Sequence, residues 1–230
     1  MPLKVSAGNM YDWTTHTHSH LGGQCPHRCV YCYVQRNRFG VAPRYQGPVR
    51  LLDNEFTVDY GVNRTIFIEH MNDMLAKEVP ESWVVRILEH CAQYPENKYV
   101  FQSKNPGRAS RLNLPAGSMF GTTIETNREI AGVSQAPIPW DRAVDIKLLR
   151  RQGLRTFITI EPLLDFDVET FAGMIIEARP EFVNIGADSK GCDLPEPSAE
   201  KVMALVAQLQ AAGVNIRKKT NLARILGGAR

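Results

Sequence analysis

The sequence predicts an α/β fold with a parallel sheet, arranged as a partial (β/α)6 TIM-like barrel. Three observations lead there. From Thr65 onward, short apolar runs alternate with stretches of helical spacing; nearly every run stops at a polar residue; and three cysteines, Cys25, Cys29 and Cys32, follow the first candidate strand. Strands alternating with helices of about 10–15 residues are the pattern of parallel βα units. In a parallel barrel the loops after the strands converge on one rim, so groups at the strand ends share a working face. A doubly wound open sheet is the alternative. It calls for a Gly-rich loop that opens a helix, whereas Gly22-Gly23-Gln24 leads into cysteines.

Taken in order, Lys4 to Trp13 mixes turn and extended signals and reads as an irregular lead-in. Thr14 to His20 reads as the first strand, polar for a buried one, with His16, His18 and His20 on one side at period two. That stripe is either a metal site or, more plainly, a set of polar contacts at a pocket mouth. Gly22-Gly23 permits a tight turn, and Tyr33 to Arg38 reads as a short helix or an aromatic shoulder over the cysteine loop. Gly40 to Asp53, with Pro43, Gly47 and Pro48, reads as loop. Arg36, Arg38, Arg44 and Arg50 interleave with Phe39 and Tyr45, a pattern able to grip phosphate and stack a base, or else a solvated, partly clamped loop.

Later strands are expected at Thr65 to Ile68, Lys98 to Gln102, Met119 to Ile124, Thr156 to Ile160 and Phe182 to Ile185, with a short final one at Val214 to Ile216 before Arg217-Lys218-Lys219. Helices are expected at Pro80 to Tyr94, Trp140 to Arg151, Val168 to Ala178 and Ala199 to Ala212, the second closed by Gly153. The strand ends place Glu69, Lys104, Glu125, Glu161, Asn184, Asp188 and Lys190 around one rim. Of these, Lys104, Glu161, Asn184, Asp188 and Lys190 are candidates to orient a substrate or move protons. Thr123 and Glu125 share a strand face by alternation. Cys91 sits among helix apolars and reads as core; Cys192 lies in a rim loop.

At 230 residues and 43% hydrophobic content the chain can bury a substantial core, and it reads as a single domain, 1–230, with a cysteine loop at 22–38 and a basic segment at 213–230. A formal charge of +3 tolerates a nucleic-acid partner without requiring one. No run approaches the roughly 18 apolar residues of a membrane span, and the N-terminus lacks the apolar core of a secretory signal. Three of five cysteines in one loop do not form a disulfide framework; a reducing, cytoplasmic setting is expected.

The spacing Cys25-x3-Cys29-x2-Cys32 suits three irons of a cubane iron–sulfur cluster, leaving one iron without a protein ligand; electron-transfer sites supply four cysteines. A zinc site also wants four ligands, which His20 or His27 would have to complete, giving a zinc-stabilised nucleic-acid-binding or structural module as the alternative. With Tyr31 just before the third cysteine, the motif resembles the signature of the radical S-adenosylmethionine superfamily. The resemblance implies a [4Fe-4S] cluster, S-adenosyl-L-methionine, a 5'-deoxyadenosyl radical that abstracts hydrogen, and a one-electron reductant such as flavodoxin or ferredoxin. It assigns Tyr31, Glu69, Thr123 and Glu125 to the cofactor, Glu69 at its amino group and the residues after the fourth strand at its ribose.

Four further stretches, Phe67 to Leu75, Phe101 to Pro106, Gly121 to Asn127 and Ile160 to Leu164, resemble phage-associated Gp37/Gp68-like radical proteins. The cysteine loop itself is more similar to that of spore photoproduct lyase and DNA-repair-photolyase-like proteins. The latter implies a nucleobase, nucleotide or nucleic-acid substrate; a small metabolite or peptide is the other expectation.

Overall fold

The computed structural model describes residues 3–6, 11–36 and 42–227. Its strands are β1 (Lys4–Val5), β2 (His16–His18), β3 (Leu21–Gly22), β4 (Arg50–Leu51), β5 (Thr65–Ile68), β6 (Lys98–Gln102), β7 (Met119–Thr123), β8 (Arg155–Ile160), β9 (Phe182–Ile185) and β10 (Ile216–Lys218). The helices are α1 (Tyr33–Arg36), α2 (Glu81–Ala92), α3 (Pro139–Arg151), α4 (Val168–Ala178) and α5 (Ala199–Ala211). Eight strands form one sheet in the order β1-β2-β5-β6-β7-β8-β9-β10, with β1 and β10 outermost among the described residues. All pairs from β2 to β10 are parallel, and β1 is antiparallel to β2. The result is an open, partial barrel, as expected from the sequence. No helix of the described residues is long and apolar enough to cross a membrane.

Period-two alternation divides the strand residues between two cores. Ile66, Ile68, Phe120, Ile158, Ile160, Val183 and Ile185 pack outward in one cluster with Val84 and Ile87 of α2, Ile146 of α3, Ile175 of α4 and Leu205 of α5. Phe67, Val100, Met119, Phe157 and Phe182 form a second cluster inside the barrel. The lead-in completes that inner core. Tyr11 and Trp13 stack at 5.0 Å, Tyr11 lies 5.7 Å from Phe67, and Trp13 meets Phe157 and Phe182 edge-on at 5.5 Å. An aromatic plug thus closes the base of the barrel. Aromatic pairs of this kind contribute about 0.5–1.5 kcal/mol each beyond the area they bury.

Several local expectations are corrected. The first strand is only His16–His18, and part of the lead-in is the edge strand β1. Two stretches read as turn and loop pair as a ribbon, Leu21 with Leu51 and Gly22 with Arg50. Pairing across such a long intervening segment leaves no local periodicity. Glycine is required at the turn: Gly23 has φ +81°, and a Cβ there would lie 2.0 Å from the Pro48 carbonyl oxygen. The crossover from β6 to β7 carries a 3-10 turn, Pro106–Arg111. Gly153, at φ +90°, closes α3 as expected, its N–H donating to Arg150 O at 3.1 Å.

Gly121 leaves room for the Phe157 ring, whose nearest atom would stand 2.3 Å from an added Cβ. Gly121→Ala should therefore lower the unfolding free energy by about 1–3 kcal/mol through overpacking. Adding Phe157→Leu should return part of that loss, read from urea unfolding midpoints of the single and double variants.

Candidate active site

The cysteine loop leaves β3 and reverses twice: Arg28 N–H donates to Cys25 O at 3.2 Å, Cys32 N–H to Cys29 O at 3.0 Å, and Arg28 itself has φ +46°. It is fastened from two sides. His27 Nε2 lies 2.9 Å from Asp73 Oδ2, and the Asp73 carboxylate also accepts from the Ser103 hydroxyl at 2.7 Å and the Lys104 N–H at 2.8 Å. On the other side, the segment after β7 covers the loop. Gln135 N–H donates to His27 O at 2.7 Å, Val30 N–H to Val133 O at 3.0 Å, and Ser134 Oγ lies 3.1 Å from Cys29 Sγ.

All three thiols are free and partly buried. Burial first, then the Asp73 charge and the neighbouring cysteines, push the Cys25 thiol well above its ordinary value; burial also raises Cys32. Burial thus favours the thiol form of Cys25 and Cys32, and a bound cation would favour their thiolates. Among the described residues no three His, Cys, Asp or Glu side chains are placed to hold a metal ion. The imidazoles proposed to complete a zinc site are engaged elsewhere, His27 with Asp73 and His20 with Glu69 and His90.

Above the aromatic plug the barrel interior is polar, then charged. Tyr11 Oη contacts Gln102 Oε1 and Thr159 Oγ1, each at 2.6 Å. Gln102 Nε2 donates to Thr123 Oγ1 at 2.9 Å and Asn184 Nδ2 to Thr159 Oγ1 at 3.3 Å. One level higher, Glu125 is buried at 3% exposure with donors from three side chains around it. Lys104 Nζ lies at 2.6 Å, Arg142 Nη2 at 2.9 Å, and the Tyr31 hydroxyl donates from the cysteine loop. Arg142 also donates to Thr123 O. These cations hold the Glu125 carboxyl far below the usual carboxylate range despite its burial. Lys104 Nζ sits 5.1 Å from the Tyr31 ring centroid. Opposite, Glu161 accepts from Lys219 Nζ at 2.6 Å and Asn221 Nδ2 at 2.9 Å.

Of the residues chosen from sequence, Tyr31, Lys104, Thr123, Glu125, Glu161 and Asn184 thus belong to this connected interior. Glu69 is placed differently. It has φ +58°, which ends the strand alternation, and its carboxylate accepts from the backbone N–H groups of His20 (2.6 Å) and Leu21 (3.2 Å) while contacting His20 Nδ1 at 2.9 Å. His20 in turn meets His90 of α2 at 2.9 Å. The histidine stripe is therefore not at a pocket mouth: His18 and His20 are buried on the α2 side. Asp188 accepts from the N–H groups of Lys190, at 2.8 Å, and Cys192, so it shapes its own loop.

The arginine-rich loop is clamped rather than presented. Arg44 pairs with Glu55 at 2.5 Å and donates to Ser19 O, Arg50 donates to three backbone carbonyls, and Arg36 Nε donates to Val30 O at 2.8 Å. Arg38 and Phe39 lie outside the described residues. Arg128 is held by Asp165 and Asp167.

Sequence reasoning missed Arg142, Tyr11, Gln102, Thr159 and Lys219. Lys219 was legible in principle, since period-two continuation of β10 puts it on the side of Arg217, whose guanidinium lies 3.6 Å from the Phe182 ring centroid. Nothing local distinguishes Arg142 from the other arginines of its helix.

No family model matches the chain, and no curated protein matches it by sequence. Solved structures of spore photoproduct lyase match it in fold. A cysteine-to-serine mutant of that enzyme gives a TM-score of 0.65 at 9% identity, covering 94% of this chain and 79% of that one. The lyase complexed with dinucleoside spore photoproduct gives 0.62 at 10% identity over 94% and 79% of the two chains. A double mutant with bound AdoMet and dinucleoside spore photoproduct gives 0.57 at 11% identity over 89% and 64%. At these identities the likeness is one of fold: a partial parallel barrel of the kind found in that radical S-adenosylmethionine enzyme.

Two predictions concern the buried charges. Glu125→Ala would leave Lys104 and Arg142 buried without their common counterion and should cost about 3–5 kcal/mol in denaturant unfolding. The second is a pH profile. Burial holds His18 and His20 down to about 3 and His70 and His90 to about 4, and it lifts Glu69 to about 8. The unfolded chain protonates those imidazoles near 6.5, so their contribution is present above 6.5 and is lost as pH falls. Glu69 acts oppositely: its contribution is full below 4.5 and is lost as pH rises through 8. Urea midpoints should rise steeply from pH 4 to about 6.5 and then decline gently, and Glu69→Gln should flatten the decline while lowering the midpoint at every pH, because its amide nitrogen cannot accept a backbone N–H.

Proposed function

We propose that this chain is a radical S-adenosylmethionine enzyme acting on a nucleobase-containing substrate, a nucleoside, nucleotide or nucleic acid. The observation that carries the reading is a loop of three thiols at the strand-end rim of an open barrel, joined through Tyr31 to buried Glu125. With His20 and His27 committed elsewhere, the loop offers three sulfur donors and no obvious fourth, the donor set of a cubane cluster with one open iron. A cubane places each thiolate on a different iron, so its ligands stand farther apart than those around a single ion. A loop that does not close on one metal ion is therefore compatible with it. Such a cluster, with S-adenosyl-L-methionine, supplies one-electron reductive cleavage and hydrogen-atom abstraction.

The chain's own residues bind and orient. Lys104 and Arg142 share one carboxylate, so the knot at Glu125 carries a surplus positive charge suited to the cofactor's carboxylate. The Tyr31 ring and Thr123 flank that position. Glu69, with its carboxylate turned to His20, acts in this reading by fixing the backbone between β2 and β3, and the rim carbonyls near it accept from the cofactor's amino group. The neutral ring of Tyr11, Gln102, Thr123, Thr159 and Asn184 orients substrate, with Glu161 and Lys219 as the nearest groups able to hold or move a proton. Asp188 and Lys190 shape the loop that borders the opening. The nucleobase assignment draws on the lyase structures that hold a dinucleoside spore photoproduct. A flavodoxin or ferredoxin is the reductant that this chemistry calls for.

Anaerobic reconstitution with iron and sulfide, then incubation with dithionite and S-adenosylmethionine, tests the reading. We expect about four irons per chain and formation of 5'-deoxyadenosine. Cys25→Ala, Cys29→Ala and Cys32→Ala should each abolish that product, whereas Cys91→Ala and Cys192→Ala should keep the iron content. A chain that takes up one zinc and no iron, or a cysteine variant that keeps full cleavage, would overturn it. Turnover against nucleosides and short DNA, followed by mass spectrometry, tests the substrate class.

A further inference from the structure

Helix α3 covers the barrel with Pro139, Arg142, Ala143, Ile146 and Leu149. Its outer side, charged as such a position normally is, is interrupted by an apolar stripe. Trp140, Val144 and Leu148 are 42%, 51% and 45% exposed, large apolar side chains at i, i+4 and i+8. Val144 and Leu148 are bracketed by Asp141 and Arg151, both exposed. Positions 141, 144, 148 and 151 follow the 3-4-3 spacing of a coiled-coil seam. Among the described residues neither Asp141 nor Arg151 has an ion-pair partner; Lys147 and Arg150, beside them, are paired with Glu177 and Glu181.

We infer that this seam is a self-association surface, on which α3 packs antiparallel against α3 of a second copy about a two-fold axis. The sequence of the seam is complementary to its own reverse. Turned end for end, acid meets base at both ends and Val144 meets Leu148 twice in the middle, the condition for an isologous interface. Antiparallel alignment also sets the two helix dipoles favourably. Trp140, beside the seam, lies on the flank where the guanidinium of the partner's Arg151 would stack on it. A parallel pair would place acid on acid and base on base. An unrelated acidic or basic partner would leave one end of the seam opposed by like charge. A second copy is the occupant that satisfies both ends.

Asp141 and Arg151 are about 15 Å apart along one helix and cannot pair within a chain, so a charge swap reports on the contact between copies. Sedimentation velocity of the full chain should show mass rising toward the dimer over roughly 10–100 μM, the range for a small interface. Val144→Glu should stay monomeric across that range with an unchanged circular dichroism spectrum. Asp141→Arg and Arg151→Asp should each weaken association at least tenfold, and the double swap should restore it, although it places both charges unfavourably on the helix dipole. A wild-type chain that stays monomeric, a dimer that survives Val144→Glu, or a double swap no better than its singles would each overturn the inference. None of these outcomes depends on cluster content or on 5'-deoxyadenosine formation.

Discussion

The buried carboxylate of Glu125 is the constraint on which the interior depends. Three elements that are distant in sequence deliver groups to it: Tyr31 from the cysteine loop, Lys104 from the end of β6, and Arg142 from α3, which also caps the end of β7 through Thr123 O. A cation buried beside the barrel axis is costly unless it is paired, and here two cations share one anion. The arrangement therefore fixes the rim as a unit. The loop cannot shift without exposing a charge, nor can α3 slide along the sheet without stranding its guanidinium.

Beneath that knot the barrel is layered by what each level can solvate. The base is aromatic and dry, closed by Tyr11 and Trp13 over Phe67, Phe157 and Phe182. The middle is a ring of hydroxyls and amides that satisfy one another, and the top is charged. The charge that does reach the base is a delocalised one stacked on a ring, the Arg217 guanidinium 3.6 Å from the Phe182 centroid. Water and ligands reach the strand-end rim, so ionised groups gather there and binding chemistry is placed there with them.

The parallel order of the strands, the helices between them and the rim positions of Lys104, Glu125 and Glu161 were all legible, because period-two and 3.6-residue patterns are local. Glu69 shows the limit of that reading. It stands where a strand-end acid should face the opening, yet a left-handed backbone turns its carboxylate onto His20 and the Leu21 N–H. Arg44 and Arg50 show it again. Beside Tyr45 they suggest a nucleic-acid grip, but Glu55 and a set of backbone carbonyls already hold them. Composition counts charges and does not record which of them are neutralised in the fold.

By itself the sequence determined the class of fold and the grouping of three thiols in one loop after the first strands, since both are written in spacings of a few residues that steric and hydrogen-bonding rules translate directly. Only the tertiary structure decided which polar groups work together. That His27 meets Asp73, that Arg142 meets Glu125 and that Tyr11 closes the barrel floor are meetings across long stretches of chain. They are chosen by burial and charge balance once the sheet has curled, and local sequence carries no record of them.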